Sequence, residues 1–391
     1  MWNNLKLRMK MMDKWIVLPF LLLILFSIIA VYSASSYSAM ESFGTPNHYL
    51  IRQVFNVGLS LVVGFIVYIF PFAKLKKKKV IQWGTIGIFA MLIAVFFFSE
   101  RMGARRWIPL PFFNLQPAEF AKLFVIWYLA YIFSRKQEDL QYRFLKTIAQ
   151  PSILVAVIAV LIVMQPDTGT ALIIGLMTIV IVSASGAPLN YGMSFILFLV
   201  IAAGGLSFIV YNYGEHLPFL SYRYDRFLGL WDPFGYYDSY GHQLVHSYYA
   251  LNRGGLFGVG IGNSVQKTGY LPFPYTDFIV AIVGEEVGLL GVTLLLIALG
   301  IIIGRAFYLG SKSNDSFNSL IYIGVGSMLL IQSLTNIAGL TGLIPITGVT
   351  FPFLSYGGSS LLIVSISVAL IANASTLERL QSQKNKELEK H

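Results

Sequence analysis

Ten runs of roughly 20 mostly apolar residues follow one another along the chain, at about 15–35, 51–71, 80–98, 117–134, 151–166, 168–185, 190–211, 276–304, 319–341 and 356–374. A helix rising about 1.5 Å per residue needs about that length to cross roughly 30 Å of hydrocarbon, where every backbone N–H and C=O must find a partner within the protein. The pattern predicts an all-α polytopic membrane protein with about ten transmembrane helices. Composition agrees: 56% of residues are hydrophobic and 12% charged, with mean hydropathy +0.69. An ordinary soluble enzyme, with about 25% charged residues, is excluded. Residues 1–391 then form a single integral membrane domain, with a large extracytoplasmic loop at about 212–275 and a cytoplasmic tail at 375–391.

The stretch Gln165-Pro166-Asp167-Thr168-Gly169-Thr170 interrupts what would otherwise be one long apolar run and predicts a tight turn between two helices. Lys6, Arg8, Lys10 and Lys14 precede the first run, and Ser33-Ala34-Ser35 offers small residues for signal cleavage. That run is too long for a typical signal core, so a retained first span is expected.

The net charge of +10 would suggest a nucleic-acid surface, but the cations sit in short patches between the apolar runs, so no nucleic-acid partner is expected. With the N-terminus cytoplasmic, 19 of the 28 Lys and Arg fall on inside segments and both termini are inside. The other nine are Arg52, Arg101, Arg105, Arg106, Lys122, Arg223, Arg226, Arg253 and Lys267, which run against that bias and need another explanation. The 212–275 connection is rich in aromatics, among them Tyr211, Tyr213, Tyr236, Tyr237, Tyr248 and Tyr249 at or near it, which predicts an ordered loop packed at the membrane surface. Pro109-Leu110-Pro111-Phe112-Phe113, Leu271-Pro272-Phe273-Pro274-Tyr275 and Phe351-Pro352-Phe353 read as rigid outer rims.

Charged residues within apolar runs are costly and mark functional candidates. Pro117 suits a first helical turn, which places Glu119 and Lys122 on one face as an i,i+3 pair, either a structural ion pair or a polar site facing a cavity. Asp277 opens the eighth run; position alone favours a helix cap, and a general base is the alternative. In a continuous helix Glu285 would lie roughly 80° round and about 12 Å along from Asp277. Hydrolase carboxylate pairs stand about 5–9.5 Å apart, so an acid/base pair within this helix is disfavoured. His242-Gln243-Leu244-Val245-His246 has zincin spacing but lacks its glutamate, and two outer-helix histidines at the lipid surface are expected instead. No cysteine is present, and no nucleotide-binding P-loop motif occurs. Gly357-Gly358-Ser359-Ser360 offers backbone N–H groups to a phosphate or forms an ordinary turn. Arg105, Arg106, Lys122 and Lys267 with Asp277 suggest an outer cavity for a lipid bearing a phosphorylated polar head.

Several separated stretches together resemble the SEDS family of bacterial peptidoglycan glycosyltransferases. They are Gly103-Ala104-Arg105-Arg106-Trp107-Ile108 with Gln116-Pro117-Ala118-Glu119-Phe120-Ala121-Lys122; the Gln165 to Thr170 turn; Gly254-Gly255-Leu256-Phe257-Gly258 through Thr276-Asp277-Phe278-Ile279 to Gly284-Glu285-Glu286; and Pro352 to Ser360. Val31 to Ser36, Arg105-Arg106 and Gly258 to Lys267 look more like the division branch than the elongation branch. Phe273 and Tyr275 stand where the family commonly has an acidic residue and a histidine, so those roles do not carry over, whereas Asp277 matches.

The resemblance implies the SEDS fold and polymerisation of lipid II, both donor and acceptor, at the outer membrane face, with undecaprenyl pyrophosphate released. It implies Asp277 as base; Arg105, Arg106, Lys122, Lys267 and Ser359 are assigned to substrate binding, with Glu119 orienting Lys122. It implies a class B penicillin-binding protein transpeptidase and other division proteins as partners, within the bacterial cytoplasmic membrane at the division septum, with membrane lipid around the chain. No cofactor is demanded, though a divalent cation, Mg or Mn, would suit the pyrophosphate. A lipid II flippase and a non-catalytic division scaffold are the competing functions, and an elongation-branch role is the further alternative.

Overall fold

The computed structural model describes residues 2–100, 104–110, 113–186, 201, 204–205, 207–214 and 221–388. A short surface helix α1 (Trp2–Lys10) leads into α2 (Lys14–Phe43), whose N-cap Asp13 accepts from the Trp15 amide and whose end is set by Gly44 at φ 69°. Then come α3 (His48–Ile69), α4 (Lys78–Ala94), a two-residue hairpin pair β1 (Ile108–Pro109) and β2 (Asn114–Leu115), and α5 (Pro117–Arg135). After α6 (Gln137–Tyr142), α7 (Phe144–Met164) and α8 (Thr168–Ala184) meet at the expected turn around Pro166. The chain continues through α9 (Ser221–Trp231) and α10 (His242–Gly254) to α11 (Ile279–Lys312), α12 (Ser316–Leu340) and α13 (Gly358–Leu388).

Seven described helices are long and apolar enough to cross a membrane. The shorter α8 and the 19-residue α5 also coincide with expected runs. The expected run at 190–211 lies mostly outside the described residues. Helices α12 and α13 form the centre, with 72% and 89% of their most apolar windows buried, whereas α3 and α4 present most of theirs outward. Helix α3 lies along α13, α11 lies against α2, α10 and α12, and α5 and α8 lie against α12.

Two expectations need correction. The eighth run is not one continuous helix from 276: α11 starts at Ile279 and is broken at Gly288, with φ 70° and ψ −178°. A side chain is disfavoured in that backbone region, and a Cβ there would collide with the backbone of Leu256 and Gly258. The Gly254 to Gly260 segment lies against the break and completes its hydrogen bonds. Val259 and Gly260 amides donate to the carbonyls of Glu285 and Glu286 at 3.0 and 2.9 Å, and Leu289 and Leu290 amides donate to Gly255 and Leu256 at 2.9 and 3.1 Å. In addition, His246 is not at the lipid surface but 3% exposed, with hydrogen bonds linking its ring to Gln266 and the Tyr237 hydroxyl.

At the end of the bundle that carries both termini, Asp13 is fully buried and ion-paired with Arg305 (2.8 Å) and Arg379. Glu378 accepts from Ser313, Asn318 and Tyr322, which ties α13 to the α11–α12 connection.

Gly288→Ala is expected to destabilise the fold by at least the ~1–3 kcal/mol of a strained backbone position. The check is a lower melting temperature in detergent with faster hydrogen exchange at the Leu289 and Leu290 amides; unchanged exchange there would contradict the splinted break.

Candidate functional site

The β1–β2 hairpin delivers the chain to α5, and Ser359 locks that junction: its hydroxyl accepts from the Gln116 amide (2.9 Å) and donates to the Asn114 carbonyl (2.8 Å). Gln116 then reaches across to Asp167, donating from Nε2 to Oδ2 at 2.8 Å, while Asp167 Oδ1 caps α8 through the Thr170 amide. Arg106 is held over the same turn, donating from Nε to the Gln165 carbonyl at 3.1 Å and from Nη2 to the Pro166 carbonyl. Gln116, Arg106 and Asp167 therefore meet at the turn between α7 and α8.

Asp277 interacts electrostatically with Arg106 and Asp167 of that turn. It lies in the turn before α11, half-buried, and the N-cap position is Phe278, which makes no side-chain cap bond. The cap reading of Asp277 is thus replaced by a carboxylate ahead of the helix. Asn336 of α12 fixes its main chain, donating from Nδ2 to the carbonyls of Asp277 (2.8 Å) and Val349 (2.7 Å). Gly348, at φ 71°, lies so close that a Cβ there would stand 3.4 Å from Asp277 Oδ2. Burial and the nearby Asp167 raise the Asp277 carboxyl, Arg226 and Arg106 pull it down, and it rests at about 6. Arg226 on α9 also donates to the Ile346 carbonyl. Asp277, Asp167, Arg106 and Arg226 therefore share one electrostatic environment.

The remaining sequence candidates occupy three other settings. Arg105 is exposed beside the site, within 3.4 Å of the Phe96 carbonyl. Lys122 is fully buried, paired with Glu119 (2.9 Å) and donating to Gln332 Oε1 at 2.8 Å. Gln332 in turn donates to the Thr350 carbonyl, one turn of α12 from Asn336, so the pair lies beneath the Asp277 loop. Lys267 is elsewhere: 5% exposed, it is bound to Glu286 (2.7 Å) and Ser33 Oγ (2.9 Å), its charge neutralised within the bundle. Arg101 lies outside the described residues.

From sequence alone Asp167 is part of a turn and Arg226 a surplus outer cation. Both had a signal, one as an acid at a broken apolar run and the other as a charge against the topology bias. Gln116 carries no signal beyond its place before Pro117, and Asn336 carries none, since one polar residue near the end of an apolar span is ordinary. Among the described residues no group of three or more His, Asp or Glu converges as a metal centre. A near-neutral carboxylate flanked by two guanidinium groups can accept a proton and stabilise an anion beside it.

Removing Lys122 alone strands Glu119 in the core. Lys122→Ala should cost about 3–5 kcal/mol, whereas Glu119→Gln with Lys122→Met should recover most of the melting temperature. Equal loss in both variants would contradict a neutralised buried pair.

The FtsW/RodA/SpoVE family model, described as cell cycle protein, matches residues 13–380. The probable peptidoglycan glycosyltransferase FtsW of Bacillus subtilis (strain 168) is 38% identical over 389 residues, 98% of this chain and 95% of the relative. That of Lactococcus lactis subsp. lactis (strain IL1403) is also 38% identical, over 93% of this chain and 92% of the relative. A solved structure described as structural coordination of polymerization and crosslinking by a peptidoglycan synthase complex superposes with TM-score 0.72 at 25% identity, covering 93% of this chain and 97% of that one. The crystal structure of Thermus thermophilus rod shape determining protein RodA superposes with TM-score 0.63 at 21% identity, covering 93% and 96%.

Proposed function

The chain belongs to the FtsW/RodA/SpoVE family of cell cycle proteins, and from that premise we propose that it is a peptidoglycan glycosyltransferase of the membrane with Asp277 as its general base. Its relatives carry that activity in their names over nearly the whole chain. The observation that carries the site assignment is the half-buried Asp277 carboxylate, raised to about 6 and flanked by Arg106 and Arg226.

In this reading the substrate is lipid II in both roles. A sugar hydroxyl of the acceptor attacks the anomeric carbon of the donor, and the new C–O bond forms as the bond from that carbon to the pyrophosphate breaks. The hydroxyl proton passes to Asp277, and undecaprenyl pyrophosphate leaves with the electron pair of the broken bond. Arg106, whose guanidinium is anchored on carbonyl oxygens and acts on Asp277, is the group proposed to stabilise that departing charge, with the neighbouring exposed Arg105 as a second cation. Lys122, Glu119 and Ser359 act through position: Lys122 and Glu119 support α12 beneath the Asp277 loop, and Ser359 locks the entry to α5. A divalent cation beside the pyrophosphate is a further part of the proposal, and chelation during polymerisation tests it.

The proposed partner is a class B penicillin-binding protein, supported by the solved peptidoglycan synthase complex to which this fold is similar. Cytoplasmic termini are supported by the bias of 19 of 28 cations to one side. A septal location, with other division proteins, is part of this reading and is supported by the cell cycle description of the family.

Purified protein in liposomes with lipid II, and no other polymerase, provides the test. Asp277→Asn should lower kcat by about 10²–10⁴ while retaining the fold. In the wild type, activity should fall as pH drops through about 6, because the base must be ionised. Normal polymerisation by Asp277→Asn would remove the base assignment, and a wild type that only translocates lipid II would favour a flippase.

A further inference from the structure

A cavity of about 340 Å³ opens between α9, the turn leading into α10 and the 344–346 segment. Its volume lies at the low end of the ~300–1,000 Å³ typical of small-molecule sites, enough for a sugar unit but not for a whole lipid-linked head group. Its polar lining includes Asp225, Asp238, His242 and Gln243 with Arg226, and its apolar walls include Leu230, Leu244 and Pro345. The Tyr240 hydroxyl hydrogen-bonds the Asp225 carboxylate and fixes one side. Burial and neighbouring His246 lower the His242 pKa, against a raising pull from Asp238, so near neutral pH the ring offers one donor and one acceptor. Carboxylates, an amide and a neutral imidazole over apolar walls suit hydroxyl and acetamido groups. Two carboxylates against one arginine do not suit a pyrophosphate.

The cavity also has a defined relation to the base. Arg226 lines it and acts electrostatically on Asp277; Ile346 lines it, and Gly348, two residues on, packs against the Asp277 carboxylate. Arg106, Gln116 and Asp167 take no part in its lining. The chemistry divides the two substrates the same way. The donor carbon is bonded directly to its pyrophosphate and must lie by the anion-stabilising groups, whereas the attacking hydroxyl is on a sugar ring remote from its own pyrophosphate.

We propose that this cavity is the acceptor subsite, holding the uncharged terminal N-acetylhexosamine of the acceptor so that its hydroxyl faces Asp277. The assignment rests on Asp277 being the base. Asp238 and Gln243 are its specificity residues, accepting from and bonding to hydroxyl and acetamido groups.

The test uses full-length protein in nanodiscs and a soluble N-acetylglucosaminyl-N-acetylmuramyl disaccharide without pyrophosphate, followed by saturation-transfer NMR. Wild type and Asp277→Asn should both bind it. Asp238→Asn and Gln243→Ala should each weaken it about tenfold, the loss expected for one strong hydrogen bond, with melting temperatures unchanged and the KM for lipid II raised more than kcat is lowered. Arg106→Ala should leave disaccharide binding intact. Equal binding by all variants, no binding by the wild type, or displacement by inorganic pyrophosphate would overturn the subsite. None of these results depends on whether Asp277→Asn polymerises, so a failed base assignment remains distinguishable.

Discussion

The structure depends on one requirement of the bilayer: a backbone N–H or C=O removed from water must be paired within the chain. At Gly288 the helix α11 breaks, and four backbone groups lose their intrahelical partners. The Gly254 to Gly260 segment replaces them with four hydrogen bonds, two to the carbonyls before the break and two from the amides after it. Such close approach of one backbone to another is what its glycines permit; a Cβ at Gly254 or Gly258 would meet the backbone of residues 284–288. A broken helix is thereby made as saturated as an unbroken one.

Two acids, Glu285 and Glu286, lie just before the break and take the splint amides on their main-chain carbonyls. Glu285 is fully buried and accepts from Arg253, Ser264 and the amides of Val265 and Gln266, so one carboxylate organises the loop that leads towards Asp277. Glu286 takes Lys267 and, through Ser33, joins α11 to α2. Buried ions are costly in isolation, and each of these is matched by opposite charge and hydrogen bonds. The Lys122–Glu119 pair follows the same rule, and through Gln332 it reaches the helix whose Asn336 holds the Asp277 main chain. Several charges that stand out in the sequence are therefore paired within the bundle.

Hydropathy made the architecture legible because ten apolar runs leave a membrane bundle little alternative, and nine of them coincide with described helices. The same averaging hid the break at Gly288, since a hydropathy window over this long apolar run does not register backbone angles. Asp277 was legible through the motif around it, and Arg106 as a cation against the topology bias. Lys267 carried the same signal as Arg106 and belongs to a different environment, because only the fold reveals that Glu286 and Ser33 meet it. Asp167 and Arg226 join Asp277 across separations of more than 50 residues, information that local spacing does not contain.

Why the Asp277 carboxylate stands ahead of its helix, rather than on it, is a matter of electrostatics. A carboxylate capping α11 would accept backbone amides and gain from the helix dipole, and both effects favour its ionised form and depress its basicity. Asp277 sits one residue before the cap position, in a turn where burial opposes ionisation, and two arginines restrain the rise. Arg106 is anchored by the carbonyls of Gln165 and Pro166, which are dipoles rather than full charges. Its guanidinium is thus oriented without being neutralised, in contrast to Lys267, which spends its charge on Glu286. A base near neutrality and a cation retaining its field are the two conditions for moving a proton while an anionic group departs, and both arise from which oxygen atoms each side chain meets.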